Sequence, residues 1–93
     1  MNKDQIKEQI KNIIAELDKM EYPETDREWR SCKNKAQSAA DRIFDLLPYD
    51  MSQKDEAWKK AIDIAWAKYS DSFCRWDYIA RQLASDYFDR IGG

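Results

Sequence analysis

Valine is absent from this chain of 93 residues, and threonine occurs once, so isoleucine supplies nearly all of the β-branched side chains. Glycine occurs only as Gly92 and Gly93. A stretch that long without glycine holds no phosphate-cradling loop, no dinucleotide fingerprint and no two-residue Asn-Gly hairpin. Histidine is missing as well, which removes most metal sites and most Ser- or Cys-based triads. No apolar run approaches the roughly 18 residues of a membrane-crossing helix. The N-terminal stretch MNKDQIKEQIKN has no apolar h-region, so no secretory signal is expected and the protein reads as cytoplasmic. What these absences leave is a single all-α domain over residues 1–93, since a chain of this length has room for one core.

Neither sign of charge dominates. Lys and Arg number 16 and Asp and Glu 18, for a net charge of −2. Residues 1–20 carry 4 basic and 4 acidic side chains, residues 21–50 carry 5 and 7, and residues 51–93 carry 7 and 7. Non-specific nucleic-acid binding needs a clear basic excess, so such a role here requires a local patch. Leu, Ile and Phe together make only 16 residues, and 4 Trp and 5 Tyr fill the gap. Each ring buries roughly 150–250 Å², so the aromatics decide whether the chain folds alone. Cys32 and Cys74 lack a CxxC spacing and read as two small apolar side chains rather than a zinc site or a disulfide framework.

Periodicity gives the elements. Ile6, Ile10, Ile13, Ile14 and Leu17 form one helical stripe over about Lys3–Met20, with Asn2 as N-cap and Gln5 as its capping-box partner. Tyr22-Pro23 ends that helix, because proline disfavours helix at the residue before it. Thr25 and Glu28 open the next, over about Asp26–Leu47, with a face of Trp29, Cys32, Ala36, Ala39, Ala40, Ile43, Phe44 and Leu47. The small middle of that face invites close approach by another helix or large side chains from it. Ser52, with Asp55 three residues on, is the expected N-cap of the following segment. From there Trp58, Ile62, Ala65, Tyr69, Phe73, Trp76, Ala80, Leu83, Tyr87 and Ile91 never lose helical phase. An unbroken helix of about 39 residues would span roughly 58 Å. Ser70-Asp71-Ser72 is the one cluster of weak helix formers in the run. The expectation is a small four-helix up-down bundle broken there, against the alternative of three helices with the last long and kinked at residues 70–72.

Catalytic machinery is not expected, nor is any cofactor or metal. Asp41 with Asp45, and Glu24 with Glu28, are i, i+4 carboxylate pairs that nothing distinguishes from a solvated helix face. Cys74 beside Arg75 suggests a lowered thiol pKa, but no histidine completes a dyad and Arg75 cannot act as a base.

Two binding surfaces stand out instead. Trp66, Tyr78 and Phe88 fall away from the core stripe, and Ile64 and Tyr78, two heptads apart, share a face if the helix is continuous. Arg75 and Arg81 flank Tyr78. Exposed aromatics with arginine are over-represented at interface hot spots, so Ile64, Trp66, Tyr78, Phe88, Arg75 and Arg81 are the candidate residues for gripping another protein or protein complex. In size and composition the chain is similar to the small aromatic-rich proteins with which phages and mobile elements block host machinery. That likeness, of composition and not of motif, implies an inhibitor or adaptor. The alternative surface is the basic stretch Arg27–Lys35, four basic residues and one acid in nine. There Arg27, Arg30, Lys33 and Lys35 are candidates for nucleic-acid contact, with Lys35 pointing away from Arg30 and Lys33. A third expectation is a self-assembling subunit, so the chain is read as a monomer or homodimer.

Overall fold

Each helix begins where a side-chain acceptor meets a free backbone N–H. In the computed structural model, which describes residues 2–92, α1 (Lys3–Asp18), α2 (Asp26–Leu46), α3 (Met51–Lys68) and α4 (Ser72–Gly92) follow in order. Asn2 and Gln5 form the reciprocal box expected of them, at 2.9 and 3.0 Å. Thr25 accepts from the Glu28 N–H at 3.1 Å, but the Glu28 carboxylate returns to the Glu24 N–H rather than to Thr25.

The cap of α3 differs from expectation. Asp50, not Ser52, is the N-cap, and Gln53 reaches back to the Asp50 N–H. Asp50-x-x-Gln53 offers both halves of a capping box, whereas Asp55 is one methylene shorter than the Glu or Gln the reciprocal bond calls for. Ser52 therefore sits inside the helix.

The long apolar run breaks where propensity is weakest. Tyr69 is extended, with φ −124° and ψ 144°. The Asp71 carboxylate accepts from the Cys74 N–H at 2.8 Å and caps α4. The Arg75 Nε donates to the Tyr69 carbonyl at 2.9 Å, satisfying an acceptor that the end of α3 leaves open. The four helices have 16, 21, 18 and 21 residues, so the three-helix alternative is excluded. Connections of three and four residues at 69–71 and 47–50 favour antiparallel successive helices.

Helix α4 packs against all three others, and most extensively against α2. Both carry small side chains to that seam: Ala36, Ala39 and Ala40 from α2 and Ala80 and Ala84 from α4 are all buried. Ile6, Ile10, Ile13 and Leu17 of α1 cover α2 and α4 from one side. Helix α3 lies on α4 and buries only Ala61 and Ala65. The result is an all-α four-helix bundle of about 40 × 25 × 20 Å, its core centred on α4. No helix is long and apolar enough to cross a membrane among the described residues.

Candidate interaction surfaces

Side chains wider than alanine occupy the space between α2 and α3, and they are rings. Phe44 of α2 meets Trp58 of α3 edge-on at 5.2 Å, Trp58 meets Trp76 of α4 at 5.7 Å, and Trp76 meets Trp66 of α3 at 6.4 Å. A cation closes each end of this row. The Lys54 Nζ stands 5.1 Å from the Phe44 ring centre and the Arg75 guanidinium 4.6 Å from that of Trp66. Such contacts are worth about 0.5–1 kcal/mol at exposed sites. None of the four rings is fully buried, and Trp66 is 47% exposed. A second set of rings, Tyr22, Trp29 and Phe73, ties the start of α2 to the start of α4 at 5.4 and 5.6 Å.

The row gathers two of the residues singled out from sequence, Trp66 and Arg75. Phe44, Trp58 and Trp76 join them although periodicity assigned them to the core stripe. Their signal was present in residue size: a ring on the edge of a stripe rarely disappears inside a bundle this thin.

The other four residues lie elsewhere. Tyr78 packs on Tyr69 at 5.7 Å, with the Lys68 Nζ over both rings at 5.4 and 5.6 Å. Ile64, 37% exposed, sits one turn before Lys68 on the same side of α3. A continuous helix does not place Ile64 and Tyr78 on one face, because the chain turns at 69–71; what relates them is the α3–α4 hairpin. Phe88 is half-buried against Tyr87 and lines a shallow depression with Ile14 and Arg81. Arg81 is engaged in the seam with α1, paired with Asp18 at 2.7 Å and Asp77 at 3.0 Å. Arg75, bonded to the Tyr69 carbonyl, links the Trp66 contact to the Tyr69–Tyr78 pair, while Phe88 and Arg81 line the side of α4 toward α1.

The basic stretch regroups in the same way. Arg27, Arg30 and Lys35 line one groove between α1 and α2. Lys35 diverges from Arg30 in direction, as its spacing requires, but both are long side chains on the α2 wall and both reach the groove. Lys33 is the outlier, since it falls one turn from Trp29 on the flank of α2 that faces the rings.

The chemistry available to the thiols is limited. Cys32 is buried, with its Sγ 3.9 Å from the Glu21 carbonyl, and both cysteines are free. The pKa of Cys74 is not lowered by Arg75. Burial, then hydrogen bonding to Asp71 and the charges of Asp71 and Asp77, raise it to about 11. Arg75 is turned instead to the Tyr69 carbonyl and the Trp66 ring. The Tyr49 hydroxyl is pushed well above the usual phenol range by burial and by Asp86, to which it donates at 3.2 Å. Among the described residues no three His, Cys, Asp or Glu side chains are grouped to hold a metal ion.

No protein-family model, curated protein or solved structure matches this chain.

Proposed function

We propose that this chain is a non-catalytic protein-interaction module, an inhibitor or adaptor acting in the cytoplasm, and that it grips another protein through the ring row of Phe44, Trp58, Trp76 and Trp66. The observation that carries this reading is Trp66. A tryptophan 47% exposed, stacked under an arginine and backed by two further tryptophans, is the composition of a binding hot spot. The surrounding geometry also suits the role. Arg75 is held by the Tyr69 carbonyl, so the cation and the ring are already oriented before a partner arrives, which lowers the entropy lost on binding. Two free cysteines fit a reducing compartment.

The test is affinity capture with wild-type protein and with Trp66→Ala, read by mass spectrometry and then titrated against the captured partner. Loss of about 2 kcal/mol, roughly 30-fold in Kd, is expected for Trp66→Ala. Lys7→Ala, on the exposed side of α1, should leave the same partner bound. A partner held equally by wild type and Trp66→Ala overturns the assignment of this surface. Sedimentation at micromolar concentration addresses the self-assembly alternative: a Trp66-dependent dimer of this chain alone replaces the heterologous partner with a second copy.

A further inference from the structure

The groove between α1 and α2 is an open hollow of about 1070 Å³. Its charge runs against that of the whole chain. Five cationic side chains line it (Lys19, Arg27, Arg30, Lys35 and Arg42) against two carboxylates, Glu16 and Glu21. Glu16 is already engaged by Arg42 at 3.0 Å. The other four cations make no ion pair among the described residues. In a protein of net charge −2, four unpaired cations around one concavity make a local field that attracts anionic groups.

The groove stays open because α2 presents Ser31, Asn34 and Ser38 between its cations, all small and polar. Met20 supplies a partly exposed apolar floor, with the nearly buried Leu17 and Ala39 beneath it. From Arg27 to Arg42 the wall runs about 22 Å along α2, at 1.5 Å per residue.

We infer that this groove docks an acidic, amphipathic helical segment of a protein partner, about four turns long, with its carboxylates toward Arg27, Arg30 and Lys35 and its apolar side toward Met20. Charge complementarity and the apolar floor favour such a peptide over nucleic acid. Binding of single strands relies on rings for base stacking, and no ring lines this groove. The groove and the ring row occupy different flanks of α2, so the two surfaces can be filled together, as an adaptor requires.

The experiment uses the full chain and three fluorescent probes: a 15-residue helical peptide with Glu and Leu on opposite faces, its Glu→Gln counterpart, and a 20-nucleotide single strand. Binding of the Glu peptide is expected, at least 10-fold tighter than the Gln peptide and the oligonucleotide, and weakening as salt rises from about 50 to about 300 mM. Arg27→Glu with Arg30→Glu should reduce Glu-peptide binding at least 10-fold. Both side chains are exposed and unpaired, so unchanged thermal melting should accompany that loss. Trp66→Ala should leave the peptide bound, which separates this groove from the ring row. Three results overturn the inference: equal binding of the Glu and Gln peptides, tighter binding of the oligonucleotide, or no binding of the Glu peptide.

Discussion

Helix α4 meets α2 through alanines and aliphatic side chains and α3 largely through rings. At the first seam Ala36, Ala40 and Ala80 are 0% exposed and Ala39 and Ala84 no more than 4%. At the second only Ala61 and Ala65 disappear, while Trp58 and Trp76 stay half-buried and Trp66 reaches solvent. Alanine lets two backbones approach closely and shuts water out along the whole contact. Rings bridge a wider gap, and their outer faces remain accessible. One seam thus serves stability and the other offers surface, although both are built from the same heptad-like spacing.

Four substitutions or conditions break or sharpen that contrast. The largest effect belongs to the tight seam. Ile43 is fully buried, and Ile43→Ala should lower unfolding free energy by about 2–5 kcal/mol, through lost transfer energy and the cavity left behind. Urea denaturation measures this, and a loss below about 1 kcal/mol would mean that α2 is not packed as described.

Overfilling the same seam comes next. Ala40→Leu places three extra heavy atoms where there is no space and should destabilise by about 1–3 kcal/mol. Were Ala40→Leu neutral or stabilising in the same assay, the close approach of α2 and α4 would be wrong.

Truncation in the open seam should be mild for folding. Trp66→Ala is expected to shift stability by less than about 1 kcal/mol, since the lost ring contacts and the cation–π pair are partly solvated. A change as large as that of Ile43→Ala would make Trp66 a structural residue and erase the distinction between the seams.

The smallest effect is a pH dependence. The Cys74 thiol rises from its ordinary 9.0 to about 11 in the folded chain. The unfolded state therefore loses its proton first. Stability from the neutral thiol is fully present below pH 9 and is lost as pH rises from 9 to about 11. Comparing wild type with Cys74→Ala in urea at pH 8 and pH 10.5 should show the wild type losing ground only at the higher pH, a window set by the thiol itself. Alkylation of Cys74 at pH 8 should also be slower than that of a free cysteine, because so little thiolate is present. Rapid alkylation there would place Arg75 beside the sulfur after all.

Much of this architecture was legible in residue spacing. The Ile6–Leu17 stripe, the Asn2–Gln5 box and the dip at Ser70-Asp71-Ser72 are local signals, and each concerns residues within a turn or two of one another. The Asp50–Gln53 cap was equally legible: Gln53 is long enough to return to the N-cap N–H, and Asp55, three residues after Ser52, is not. The binding surfaces were legible only in fragments. Spacing marks Trp66 as off the stripe and Arg75 as a neighbour of Tyr78, but it could not show that Phe44 and Trp58 would extend a row through Trp66 and Arg75. Nor could it show that Phe88 and Arg81 would be occupied by the seam with α1. Spacing separated Lys35 from Arg30, yet both long side chains line the same groove from α2.

The sequence by itself determined that there are helices, where they start and stop, and which side of each is apolar, because hydrogen bonding and side-chain period act over a few residues. Only the tertiary structure decided which apolar sides are covered. Helix α4 has neighbours on three sides and α3 essentially on one. Exposure of a given ring or pairing of a given arginine depends on atoms brought from distant parts of the chain, and no local pattern carries that information.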